Sequence, residues 1–205
     1  MTPPPRLASS RARSRESADW SSLRLKDRIG PKLNVLFVGI NPGVRSASTG
    51  HHFAGYSNRF WKLLYASGLV PERITYADDA RLLEFGFGIT NLVARPSPGI
   101  DDLKPSEYVG GWHALEKKIR RYRPRIVALV GVTLYRAIQP LIADDVDARA
   151  RTRSRAAPLT TGPRPETIHG AMIYVLPNPS GRNANFTHAE MLRAFRGLRR
   201  AASRG

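Results

Sequence analysis

Leu33-Asn34-Val35-Leu36-Phe37-Val38-Gly39-Ile40-Asn41-Pro42-Gly43 is a short apolar run that stops at a glycine and turns through Pro-Gly. A continuous run of this kind predicts a strand buried on both faces, as in a parallel sheet. Arg125-Ile126-Val127-Ala128-Leu129-Val130-Gly131 and Met172 to Leu176 repeat the pattern. Helical patterns lie between and after them. Ser57 is a candidate cap for a helix from about Asn58 to Ala66, with Phe60, Leu63 and Leu64 on one face and Gly68 as a stop. Asp78 to Phe85 predicts a short helix, Gly86 to Val93 a strand or extended segment, and Pro105 the start of a longer helix to about Tyr122. Val132 to Ile138 and a last helix, capped by Thr187 and running to about Arg200, complete the set. Strands alternating with helices predict an α/β fold, a three-layer α/β/α sandwich with a mostly parallel central sheet. In such sheets the working residues gather outside the carboxyl ends of the strands, which selects the loops after Val38 and Leu176.

The 205 residues, 41% of them hydrophobic, suffice for one domain with a substantial core. A count of 33 Lys and Arg against 16 Asp and Glu gives a formal net charge of +17, and nucleic acid is the natural partner for it. Charge sets the class of partner, not the chemistry. From Met1 to about Lys32, Arg6, Arg11, Arg13, Arg15, Arg24, Lys26, Arg28 and Lys32 face only Glu16, Asp19 and Asp27. Residues 1–32 therefore read as a flexible basic arm that tracks phosphates, or as a passive tail. Residues 33–205 read as the single domain, with Asp144 to Pro165 as an irregular insertion. The basic stretch Lys117, Lys118, Arg120, Arg121, Arg123 and Arg125 reads as a solvated helix face mixed with nonspecific DNA attraction.

Cysteine is absent, which excludes disulfides, thiolate zinc ligands, iron–sulfur clusters and a cysteine nucleophile. No apolar stretch approaches the roughly 20 residues of a membrane span, and the amino terminus lacks the apolar core of a secretory signal. The expectation is a cytoplasmic, nucleoid-associated monomer without a membrane partner.

The first selected loop reads Gly39-Ile40-Asn41-Pro42-Gly43, then passes Ser46 and Thr49-Gly50-His51-His52-Phe53 to reach Asn58-Arg59-Phe60-Trp61. The second reads Leu176-Pro177-Asn178-Pro179-Ser180-Gly181-Arg182-Asn183-Ala184-Asn185-Phe186. A lone Asn-Pro-Gly is an ordinary turn tripeptide. Two such segments at matching strand ends resemble the active-site motifs of the mismatch-specific uracil-DNA glycosylase and thymine-DNA glycosylase family. Thr90-Asn91-Leu92-Val93-Ala94-Arg95-Pro96-Ser97-Pro98-Gly99, and Gly110-Gly111 through Pro124-Arg125-Ile126, are also similar to it, so the resemblance covers roughly residues 33 to 200. It implies a uracil-DNA glycosylase-like fold, double-stranded DNA with a mismatched or damaged pyrimidine as substrate, base flipping, and hydrolysis of the N-glycosidic bond without metal or cofactor.

Cleaving a deoxyribose–base bond develops positive charge on the sugar and negative charge on the departing base, so the enzyme must stabilise both and supply a water. The amide of Asn41 is too weak a base to take a proton early, but its carbonyl oxygen can orient water toward C1′, the role the resemblance implies. Ser97 sits where the family carries a second hydroxyl near that water, or it satisfies the Pro96–Pro98 turn. Phe53 matches the family's stacking aromatic, against the common reading of a lone Phe as core. Backbone N–H groups around Ile40, in the Gly39-Ile40 turn, and around Phe53 would meet the uracil oxygens. Asn58 either fixes the loop from behind or caps the following helix. His52 resembles a position beside the base in the thymine-active branch, and Asn91 stands where bacterial members often place a Lys. Ser46 stands where the family has a small residue bordering the 5-position of the base. Ser is bulkier than Ala, and a methyl's worth of space is worth about 1–3 kcal/mol, so uracil is expected to be strongly preferred over thymine.

The second loop must hold the duplex open where the base has left. Arg182 occupies the intercalating position of the thymine-DNA glycosylase branch, filling the gap and hydrogen-bonding the orphaned guanine, or it is one more phosphate contact. Asn178, Ser180, Gly181 and Asn183 would lie against the flanking backbone, with Ser180 as a phosphate ligand. Pro177-Asn178-Pro179 follows the bacterial form, so the chain mixes features of both branches. His51-His52 does not read as a metal site, because adjacent histidines diverge and no third ligand stands at useful spacing. GxxxxGK[ST] and GxGxxG are both missing, and a zinc deaminase needs cysteines. The alternative from another class is a catalytically silent nucleic-acid-binding protein on the same fold.

Overall fold

The structure, a computed structural model, describes residues 20–142 and 160–204. Five strands form one sheet, β1 (Val35–Gly39), β2 (Phe87–Asn91), β3 (Ile126–Val130), β4 (Gly162–Ile168) and β5 (Ala171–Leu176), in the order β2-β1-β3-β5-β4. Neighbours from β2 to β5 run parallel, and β4 pairs antiparallel at the edge. Around the sheet lie α1 (Val44–Thr49), α2 (Phe60–Ser67), α3 (Pro105–Tyr122), α4 (Val132–Ile142), α5 (His188–Ala202) and a 3-10 stretch, Tyr76–Phe85.

Side chains alternate across a strand, so a strand apolar at every position needs cover on both faces. Val35, Phe37, Ile126 and Ala128 pack with Phe60 and Leu64 of α2 and with Phe195 and Leu198 of α5. Leu36, Val38, Val127 and Leu129 pack with Leu115 and Ile119 of α3 and with Leu134 and Ile138 of α4. The result is the expected three-layer α/β/α sandwich. Thr187 closes the amino end of α5 by a reciprocal capping box, accepting from Glu190 N–H at 3.2 Å while its own N–H donates to Glu190 Oε2 at 2.7 Å.

Three stretches differ from their sequence expectation. Val44–Thr49 forms α1 inside what reads as a loop, because its polar residues show no apolar stripe. Residues 160–165, the described end of the expected insertion, lead into β4, whose Pro163 and Pro165 are tolerated at a sheet edge; residues 144–159 lie outside the described residues. Residues 20–32, the end of the expected arm, lie on the domain. Leu25 is buried, and Arg28 exchanges both backbone hydrogen bonds with Ile89 of β2, at 2.9 and 2.8 Å. Residues 1–19 lie outside the described residues.

The parallel order brings the carboxyl ends of β1, β2 and β5 to one edge of the sheet, with Gly39 directly opposite Asn91. Both selected loops start from that edge.

Candidate active site

The end of β1 and the end of β2 meet at Gly39. A Cβ added there would lie 2.5 Å from Asn91 Oδ1 and 3.5 Å from Phe53 Cζ, so only glycine leaves room for both side chains. Phe53 is half-buried and stacks on Phe60, ring centroids 4.3 Å apart and planes at 25°. Its φ of 51° is left-handed, a conformation that costs a non-glycine residue about 1–2 kcal/mol. The peptides on either side are pinned to hold it. His52 N–H donates to Asp79 Oδ2 at 3.0 Å, Ala54 N–H to Ser46 Oγ at 3.1 Å, and Arg45 Nε to the Ala54 carbonyl at 2.8 Å. Backbone strain enforced by surrounding contacts is characteristic of ligand-handling positions. Ser46 is buried and its hydroxyl oxygen supports this loop.

His52 is 1% exposed. Its Nε2 lies 3.1 Å from the Lys26 carbonyl and its Nδ1 lies 3.4 Å from Asn91 Nδ2. A carbonyl only accepts, so Nε2 carries the hydrogen and Nδ1 accepts from Asn91. Burial pushes the imidazole pKa below its ordinary 6.5, outweighing the opposite pull of the Lys26 carbonyl, Asp79 and Asp27, which preserves this neutral tautomer. Asn91 is thereby oriented, amino group toward His52 and carbonyl oxygen toward Gly39.

The Lys26–Arg28 segment is fixed in turn. Asp27 accepts from Thr90 Oγ1 at 2.6 Å and from Lys118 Nζ at 2.7 Å, while Arg28 Nε donates to the fully buried Asp79 at 2.9 Å. Asp79 also meets His51 Nδ1 at 3.2 Å. One buried carboxylate thus ties together the amino-terminal segment and the His51-His52 turn. Lys118, read from sequence as part of a solvated face, is half-buried in this network.

Asn41, at the end of the first strand's turn, donates Nδ2 to Ser97 Oγ at 2.8 Å and to the carbonyls of Pro42 at 3.2 Å and Arg95 at 3.3 Å. With its amino group committed, the carbonyl oxygen is the side of the amide left to accept from a water. Ser97 is 2% exposed, and its hydroxyl donates to the Gly99 carbonyl. The serine proton is therefore engaged in the turn, as one reading of the sequence expects, while the oxygen holds Asn41. Arg95 is itself fixed by Glu107, at 2.8 and 2.9 Å; this pairing holds the carboxyl pKa down at about 2.

The second loop curls on itself. Asn178 Oδ1 accepts from Ser180 N–H at 3.0 Å, Asn183 Nδ2 donates to the Asn178 carbonyl at 2.7 Å, and Arg182 N–H donates to Ser180 Oγ at 3.3 Å. Arg182 stands exposed at the tip, and its guanidinium makes no hydrogen bond or ion pair among the described residues. Gly181 packs so tightly that a Cβ there would overlap Ser57 Cβ and Oγ. Asn58 lies against the first loop, its backbone N–H donating to the Gly55 carbonyl at 2.9 Å. Its Oδ1 accepts from Phe60 N–H at 2.9 Å in a turn just before α2, whose cap position is Arg59 rather than the expected Ser57 or Asn58.

A family model of the uracil DNA glycosylase superfamily matches residues 27–199. The chain belongs to the uracil DNA glycosylase superfamily. Among solved structures, the chain is similar to a candidate uracil DNA glycosylase from Methanosarcina acetivorans, at 16% identity and a TM-score of 0.57, covering 86% of this chain and 98% of that one. The likeness extends over nearly the whole of that protein and concerns the fold. Membership makes the chain one of a family of DNA glycosylases, enzymes whose substrate is DNA.

Within that superfamily frame, the structure gathers Gly39, His52, Phe53 and Asn91 in one cluster, Asn41 and Ser97 in a second, and Asn178 to Asn183 in a third. Sequence reasoning missed Arg59, Asp79 and the Lys26–Arg28 segment. Arg59 stands inside a quoted motif, but no local pattern reveals partners more than a hundred residues away. Among the described residues no group of His, Cys, Asp and Glu is placed to hold a metal ion, and no helix is long and apolar enough to cross a membrane.

Proposed function

We propose that this protein is a monofunctional DNA glycosylase of the mismatch-specific uracil/thymine type, removing uracil from G·U pairs in double-stranded DNA by base flipping and hydrolysis, the first step of base excision repair. The observation that carries this reading is the Asn41–Ser97 pair. Ser97 and two carbonyls engage the Asn41 amino group, so the carbonyl oxygen is free to orient a water toward C1′ without an added metal or cofactor. Phe53, backed on one face by Phe60, offers its other face for stacking. Asn91, polarised by His52, offers a carbonyl oxygen and a remaining N–H, the complement of an imide edge with its N3–H donor and carbonyl acceptor. A cytosine edge presents the opposite order. Arg182, exposed and uncommitted, is suited to fill the gap and meet the orphaned guanine. Ser180 accepts from Arg182 N–H and keeps its own hydroxyl hydrogen for a phosphate. Ser46 is buried with its hydroxyl oxygen engaged by Ala54 N–H, and a serine rather than a smaller residue at this position favours uracil over thymine. The protein works as a monomer in the cytoplasm, on the nucleoid.

The test uses end-labelled duplexes carrying one G·U, A·U or G·T pair, incubated with protein and chelator, then cleaved with alkali at abasic sites. Scission at G·U, weaker at G·T and lost in Asn41→Ala, is the expected result. Tight duplex binding with no scission on any substrate would overturn the reading in favour of a silent binding protein.

A further inference from the structure

Two of the site's clusters are joined by adjacent residues. Phe60 backs the ring of Phe53, and Arg59 reaches the second loop. Arg59 N–H donates to the Pro179 carbonyl at 2.9 Å, and its Nη2 donates to the carbonyls of Ser180 at 3.0 Å and Asn183 at 3.4 Å. Those carbonyls flank Gly181 and Arg182, the tip of the loop. Gly181 closes the same contact from the other side by packing on Ser57. Nε of Arg59 is buried without a hydrogen-bond partner among the described residues, and the guanidinium's hydrogen bonds go to the loop carbonyls. Asn183 N–H donates to the Ser180 carbonyl at 3.0 Å, so the guanidinium holds both ends of one turn and fixes its register, and a charged donor makes each bond stronger than a neutral one.

We propose that Arg59 is the positioning residue that locks the tip of the second loop to the Phe53 cluster, so that insertion into the duplex and seating of the flipped base proceed as one movement. The inference rests on the glycosylase reading above, and concerns how the duplex is opened rather than how the bond is broken. Arg59 touches no reacting atom. It acts through Ser180, Asn183 and the loop they anchor.

The variants are Arg59→Met, which keeps length and apolar packing without donors, and Arg59→Lys, which keeps one charged donor. Single-turnover excision is compared on a G·U duplex and on the same uracil opposite an abasic site, where no pairing holds the base in the stack. For Arg59→Met the G·U rate is expected to fall by about tenfold or more, the loss of one charge-assisted hydrogen bond, while the unpaired uracil is cut within about twofold of wild type and Arg59→Lys recovers part of the G·U rate. In parallel, 2-aminopurine placed beside the lesion reports local unstacking on binding, with no bond cleavage needed. Its signal should be lost in Arg59→Met and retained in Arg59→Lys. Equal losses on both substrates would mean that Arg59 merely supports the fold, and unchanged rates and fluorescence would mean that the loop sets its own register; either overturns the proposal. A wild-type protein that unstacks the duplex but cuts neither substrate would refute the glycosylase reading instead, and the fluorescence of the variants would still decide the role of Arg59.

Discussion

Asn41 Nδ2 donates to Ser97 Oγ at 2.8 Å, and the Ser97 hydroxyl donates onward to the Gly99 carbonyl. The chain of donors runs one way, away from the Asn41 carbonyl oxygen, and the two side chains therefore have separable roles. Asn41→Ala removes the atom proposed to orient the water and should lower single-turnover excision by about 100-fold to 1,000-fold, the scale seen when a preorganised polar group is lost from a reacting site. Ser97→Ala leaves Asn41 with its two carbonyl partners and should cost about tenfold, one hydrogen bond's worth of orientation. Equal losses in the two variants would contradict the assignment of Ser97 as support.

His52 gives a pH signature. Its folded pKa lies below 6.5, chiefly through burial, whereas in the unfolded chain it takes its ordinary value. Below about 6.5 the unfolded state binds a proton that the folded state refuses, so the contribution of His52 is full above that pH and declines as pH falls through it. Chemical denaturation at several values between about pH 5 and about pH 7.5 should show wild-type stability falling toward acid, with a shallower fall in His52→Gln. Excision should hold as stability begins to fall and decline only at more acid pH, below the lowered pKa of folded His52, where a protonated Nδ1 can no longer accept from Asn91. Parallel stability curves for the two proteins would remove His52 from this account.

Gly181 and Ser57 form a steric pair. A methyl at 181 would overlap Ser57 Cβ and Oγ and would also lie 3.0 Å from the Ser57 carbonyl. Gly181→Ala should therefore displace the tip of the loop and reduce excision from duplex substrate by about tenfold, with little effect on unfolding because the position is exposed. Adding Ser57→Gly removes the side-chain overlap but not the backbone one, so the double variant should recover part of the loss. Additive effects of the two substitutions would show that they do not act through this contact.

The sheet was legible because Val35 to Val38 and Ile126 to Val130 are apolar at every position, and only a two-sided core explains that. The carboxyl-end rule then led to Asn41, Phe53 and Asn178 without knowledge of contacts. What stayed hidden depends on distance along the chain. Asp79 binds His52 N–H and Arg28, residues 27 and 51 positions away, and nothing in the local sequence Asp78-Asp79 announces it. β4 was hidden for another reason. Its prolines are acceptable only at a sheet edge, and residues 144–159 give no periodic pattern to frame it. The amino-terminal basic residues were read by their average charge, whereas Arg28 and Asp27 are individually paired.

That pairing divides the amino-terminal segment into two parts with different expected effects. Residues 1–19 carry Arg6, Arg11, Arg13 and Arg15. If these residues meet phosphates, deletion through residue 19 should lower duplex affinity equally for all sequences and flatten its dependence on salt, by about 0.9 in the log–log slope for each phosphate contact removed. The single-turnover rate at saturating protein should be unchanged. Deletion through residue 28 goes further. It removes the Lys26 carbonyl that fixes the His52 tautomer, the Asp27 carboxylate that pairs with Lys118, and the Arg28 bridge to β2 and Asp79. Asn91 then loses its fixed orientation and Asp79 loses its cation, so the rate itself should fall, by about tenfold or more, and the melting temperature with it. Salt titrations of binding, paired with saturating single-turnover assays on both truncations, separate the two effects. A rate lost already at residue 19 would place an essential group in the first nineteen residues, and a rate preserved at residue 28 would show that His52 holds its tautomer without Lys26.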